Sequence, residues 1–94
     1  MGFIFEIKDK SGRRIHLSQE RWAHIQKHSE MTNQAENIIH TLQFPDKILQ
    51  FEYDPKVRFY FKHSKERKQY LFVSVKYLNG EGFIITSFYT DRIE

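Results

Sequence analysis

The chain has 94 residues, too few for two cores and enough for one, so fold and function are expected in a single domain spanning 1–94. Nine Phe and five Tyr can supply a compact core and exclude a disordered chain, while the lack of cysteine excludes disulfides, thiolate metal sites and a cysteine nucleophile. Fifteen Lys and Arg against twelve Asp and Glu leave a formal charge of +3, a mild attraction for phosphate and not a histone-like surface.

Phe3, Phe5 and Ile7 alternate with Ile4, Glu6 and Lys8, Asp9-Lys10-Ser11-Gly12 reads as a turn, and residues 13–17 return extended. This predicts an N-terminal hairpin. Ser18 is a good N-cap, Glu20 suits a first helical turn, and Lys27 and His28 suit the negative C-terminal end, so a helix is predicted over about 19–28. On it Arg21, His24 and His28 fall within about 60° of one another. Trp22 and Ile25 form a neighbouring apolar stripe, which puts the polar trio where a packed helix meets solvent. Imidazole is the side chain whose ordinary pKa lets it give and take protons near neutrality, and a pair can divide the acid and base roles. Ordinary surface histidines on an amphipathic helix satisfy the same spacing.

Thr32 or Asn33 is placed to cap a second helix, in which Ala35, Ile38, Ile39 and Leu42 repeat at i, i+3, i+4 and i+7 before Pro45 stops it. His40 lies off that stripe and is expected to be exposed. From Asp46 the period becomes two, which predicts strands over 47–53, 57–63, 69–78 and 82–90. Asp54-Pro55-Lys56, a charged tip over 64–68, and Asn79-Gly80 supply the turns. The predicted fold is α+β, with the N-terminal hairpin and two helices packed on a four-stranded antiparallel meander.

Alternation points Arg58, Tyr60 and Lys62 one way and Val57, Phe59 and Phe61 the other. A basic, aromatic, basic row suits a polyanion with stackable bases, and it equally suits a solvated outer face. Ser74 and Lys76 are expected to share one face, and Ile84, Thr86 and Phe88 another. A metal at the histidine pair is disfavoured, because Ile25 stands where the zinc-protease motif needs glutamate and spacing offers no third ligand. No metal and no cofactor is expected. No apolar run reaches membrane-spanning length and no secretion signal is evident, so a cytoplasmic protein without a membrane anchor is expected.

Four stretches in order, Arg21-Trp22-Ala23-His24-Ile25-Gln26-Lys27-His28, Phe44-Pro45-Asp46, Arg58-Phe59-Tyr60 and Gly82-Phe83-Ile84-Ile85-Thr86-Ser87, carry a resemblance over residues 15–93. The chain resembles the small nucleases of the barnase, EndoU, colicin and RelE superfamily, and most closely their phage and mobile-element branch. The resemblance implies a toxin-like, metal-independent ribonuclease, in which a 2′-hydroxyl attacks phosphorus and leaves a cyclic phosphate. It implies His24 and His28 as the proton-transfer pair, Arg58 as the phosphate clamp with Lys76 second, and Tyr60 as a stacking ring or alternative acid. Thr86 would hydrogen-bond the phosphate, and Arg21 and Lys62 would hold RNA. RNA is the implied partner, together with a cognate antitoxin or immunity protein. A non-catalytic RNA- or ribosome-binding module and a protein-interaction domain are the competing readings.

Overall fold

The computed structural model describes residues 2–93; Met1 and Glu94, the ends of the expected 1–94 domain, lie outside the described residues. In chain order the elements are β1 (Phe3–Lys8), β2 (Arg14–Ser18), α1 (Gln19–Ile25), a 3₁₀ turn (Ser29–Met31), α2 (Ala35–Gln43), β3 (Lys47–Gln50), β4 (Val57–Ser64), β5 (Gln69–Leu78) and β6 (Glu81–Thr90). The strands form one six-stranded sheet in the order β1-β2-β6-β5-β4-β3.

This corrects the four-stranded antiparallel sheet expected from the sequence. The N-terminal hairpin forms as predicted, but it joins the meander, because β2 runs parallel to β6 through Ile15 opposite Gly82 and His16 opposite Phe83. The sheet is therefore mixed. The physical reason is burial: Ile15 and Leu17 are fully buried only when β2 lies beside β6 beneath the helices.

The helices cover one face. Ile25, Met31, Ile38 and Leu42 from the helical layer meet Ile15, Leu17, Leu71, Val73, Val75 and Ile84 from the sheet. α1 packs along β6 and β2, and α2 packs along β5 and β4. The other face is lined by rings of Phe51, Phe59, Phe61, Phe72 and Phe88, with neighbouring centroids 4.7–5.3 Å apart. No helix among the described residues is long and apolar enough to cross a membrane.

Local chemistry explains where the elements begin and end. The Ser18 hydroxyl accepts a hydrogen bond from the Arg21 amide at 3.1 Å and starts α1. α1 ends at Ile25, three residues short of the predicted end, because the Lys27 and His28 amides donate to the carbonyls of His24 and Ile25 three residues back. His28 is then extended, with φ −83° and ψ 114°. Neither Thr32 nor Asn33 caps α2: Thr32 closes the 3₁₀ turn, Asn33 takes φ +63°, and Gln34 precedes the helix. Asparagine tolerates that left-handed conformation, so it turns the chain where a cap was expected. β3 stops at Gln50 because the Phe51 amide donates to the Val57 carbonyl and the chain folds back. Asn79 and Gly80, both at positive φ, form the expected two-residue hairpin turn.

Candidate functional site

α1 presents an open recess of about 300 Å³ lined by Glu20, Arg21, Ala23, His24 and Lys27. Ile25 is buried and Trp22 packs partly against the core, which turns Arg21 and His24 outward, as the border position predicts. His24 and His28 are exposed, and neither imidazole has a hydrogen-bond, ion-pair or ring partner among the described residues. His28 does not continue the helical stripe. It follows the tightened end of α1 and leads into the 3₁₀ turn, so the four-residue spacing gives no i, i+4 helical pair.

The β4 row is placed differently. Arg58, Tyr60 and Lys62 do share one face, and it is the face the helices cover, opposite Val75, Val73 and Leu71 of β5. Tyr60 is 2% exposed, and its hydroxyl is hydrogen-bonded to the Tyr77 hydroxyl and lies 3.4 Å from Asp9 Oδ2. The Tyr77 hydroxyl donates to the same carboxylate oxygen at 2.6 Å. Asp9 Oδ1 accepts from the Ser11 amide, the Ser11 hydroxyl and the Arg13 amide at 2.7–2.9 Å. Burial pushes the Asp9 pKa up, but these hydrogen bonds outweigh it and leave the carboxyl below its usual value. Burial also raises the pKa of both phenols, and for Tyr77 the bond to the Asp9 carboxylate raises it further. Both hydroxyls therefore hold their protons. The Arg13 guanidinium lies 3.8 Å from the centroid of the Tyr77 ring, with that of Arg58 at 5.9 Å.

Asp9 and Tyr77 are the residues that sequence reasoning missed. Asp-Lys-Ser-Gly reads as a solvated turn, and nothing local marks its carboxylate as buried. Lys62, at 3.4 Å from Asp46, borders a separate cleft with Asn37, His40, Thr41 and Tyr89. His40 is exposed, as expected.

The remaining predicted residues lie on the open face. Lys76 shares that face with Ser74, as expected, and pairs with Asp54 at 3.2 Å. Thr86 stands opposite Ser74, whereas Ile84 is buried on the helical side opposite Val75. The expectation that Ile84 and Thr86 share a face is thus corrected. The β5–β6 register shifts there, and Ile85 is the extra residue of a bulge, which breaks simple alternation.

The structure brings Arg21, His24 and Lys27 together around the α1 recess, and Arg58 and Tyr60 together beside Tyr77. No hydrogen bond, ion pair or ring contact among the described residues joins these two groups to each other or to Thr86 and Lys76. No three His, Asp or Glu among the described residues are grouped to hold a metal ion. In comparisons with known proteins, residues 5–94 match the family described as phage-Barnase-EndoU-ColicinE5/D-RelE like nuclease2. Curated proteins and solved structures give no match.

Proposed function

The chain belongs to the phage-Barnase-EndoU-ColicinE5/D-RelE like nuclease2 family, and from that premise we propose that it is a metal-independent endoribonuclease worked by the exposed histidines of the α1 region. The observation that carries this reading is the α1 recess, where an unpartnered His24 stands with Arg21 and Lys27. One imidazole takes the proton of a ribose 2′-hydroxyl, and O2′ attacks the adjacent phosphorus. The bond from phosphorus to O5′ breaks, and O5′ leaves with a proton from the second imidazole. The products are a 2′,3′-cyclic phosphate and a 5′-hydroxyl end. His24 and His28 are the pair, and either order of base and acid balances. Arg21 and Lys27 offset the charge that grows on the phosphoryl oxygens.

In this reading Lys62, Lys76 and Thr86 contact RNA on their own faces, while Arg58 and Tyr60 serve the fold. The activity is toxin-like, and its protein partner is a cognate antitoxin or immunity protein that covers the α1 recess. A second reading, RNA binding without cleavage, is favoured by the separation of Arg58 and Tyr60 from the histidines.

Purified protein in chelator, incubated with a labelled RNA and its 2′-deoxy counterpart, decides between them. The expected result is cleavage of RNA alone to a cyclic phosphate end, reduced by about 10²-fold or more in His24→Ala and in His28→Ala. RNA left intact over a range of sequences and pH, or cut equally by all three proteins, overturns the histidine mechanism in favour of binding alone.

A further inference from the structure

The first hairpin turn and the Asn79-Gly80 turn border an open recess of about 370 Å³ lined by Lys8, Gly12, Arg13, Arg14, Gly80 and Glu81. Lys8 and Arg14 are directly cross-strand neighbours in the β1–β2 ladder. Like charges in that position repel and destabilise the pair. Both side chains are exposed, and neither has an ion-pair partner among the described residues. Glu81 is the one acid on the wall, and Arg13 pairs with the buried Asp9 carboxylate behind it, so three cations meet two carboxylates.

Arg13 is held in place beside them. Its guanidinium lies over the Tyr77 ring at 3.8 Å, its Nε donates to the Ser11 hydroxyl at 3.1 Å, and Asp9 Oδ2 lies 3.6 Å from the same nitrogen. These contacts use Nε and the ring face and leave the two terminal nitrogens of the fork for another acceptor. Asp9, buried and bonded on both oxygens, locks the turn that presents Arg13 and Arg14. A guanidinium fixed in advance loses little freedom on binding, and a phosphate with two accessible oxygens fits its fork. A bound polyanion would also offset the repulsion between Lys8 and Arg14.

We propose that the recess between these two turns, lined by Lys8, Arg13 and Arg14, docks the phosphodiester backbone of RNA at a site separate from the α1 histidines. The proposal rests on the reading of the chain as an RNA-acting protein. It extends the substrate to a strand long enough to need a second grip.

The test uses Arg14→Glu, which places a carboxylate opposite Lys8 and so removes the repulsion as it removes the cation. Binding is measured by fluorescence anisotropy to a 2′-O-methyl RNA oligonucleotide, which no 2′-hydroxyl reaction can cut. The expected result is affinity weakened about tenfold at low salt, and a slope of log K against log salt shallower by about 0.7 for each phosphate that the variant no longer neutralises. The melting temperature should hold or rise. Lys65→Glu, the same charge change on the 64–68 tip, should cost clearly less. Unchanged affinity in Arg14→Glu, or an equal loss in Lys65→Glu, overturns the proposal. Cleavage of a dinucleotide too short to reach the recess separates this outcome from failure of the histidine mechanism. Arg14-dependent binding with no cleavage sinks the mechanism alone, and dinucleotide cleavage with Arg14-independent binding sinks the docking site alone.

Discussion

Asp9 shows how far one side chain can depart from its sequence context. It sits in a turn of the type that normally faces water, yet it is 6% exposed and accepts hydrogen bonds on both oxygens. Such a carboxylate is tolerated only while its partners remain, because a buried polar group without them carries its full desolvation cost. Tyr77→Phe removes the 2.6 Å donor to Asp9 and the hydroxyl partner of Tyr60 together. The expected loss is about 1–3 kcal/mol in urea unfolding. A change below a few tenths would mean that the cluster contributes nothing net. His24 is the opposite case, since its exposed and unpartnered ring leaves its substitution to be read in activity and not in stability.

Among the elements, β6 carries the most consequence, for it pairs with both β5 and β2 and turns Thr86 to the open face through its bulge. Gly82 permits this pairing. A Cβ there would lie 2.8 Å from Tyr77 Cε1 and 2.9 Å from Val75 Cγ1, closer than carbon atoms can sit. Gly82→Ala must therefore push the Tyr77 ring or the strand aside. The expected cost is about 1–3 kcal/mol. A thermal unfolding midpoint equal to that of the parent chain would show that the ring moves freely, contrary to its tie to Asp9. The same element logic explains His28, whose place is set by a tightened last turn of α1 and by the burial of Met31 in the 3₁₀ turn that follows.

For the whole molecule, the Asp9–Tyr77 contact closes a loop of 68 residues and clasps the first hairpin to the centre of the sheet. Its pH dependence has two edges. The Asp9 pKa is lowered below its usual 3.8 in the fold, so its contribution is complete above that value and is lost as pH falls through the folded pKa. The Tyr77 pKa is raised above its usual 10.0, so its contribution is complete below that value and is lost as pH rises beyond it. Thermal unfolding should show a plateau between these edges with a decline on either side. In Asp9→Asn the acid-side decline should shrink, because the titrating carboxyl is gone. An unaltered acid limb would assign that limb to other carboxylates, Asp46 and Asp54 among them, whose pKa values are also lowered, chiefly by backbone hydrogen bonds from His63 and Lys56.

The sequence by itself determined most of the elements, because caps, turns and periodicity act within a few residues. Ser18, Asn79-Gly80 and the Ile38–Leu42 stripe were each legible for that reason. It also determined the family, through four short stretches in a fixed order, and it marked the outward face of α1 by the apolar positions of Trp22 and Ile25. Only the tertiary structure decided that β2 lies beside β6, that a bulge at Ile85 sends Thr86 to the face opposite Arg58, and that Asp9 is buried against Tyr77. The first and last are contacts between residues more than sixty positions apart, and the bulge is set by pairing across the β5–β6 hairpin. They are set by which apolar faces can be buried together, and no local pattern of residue types encodes that choice.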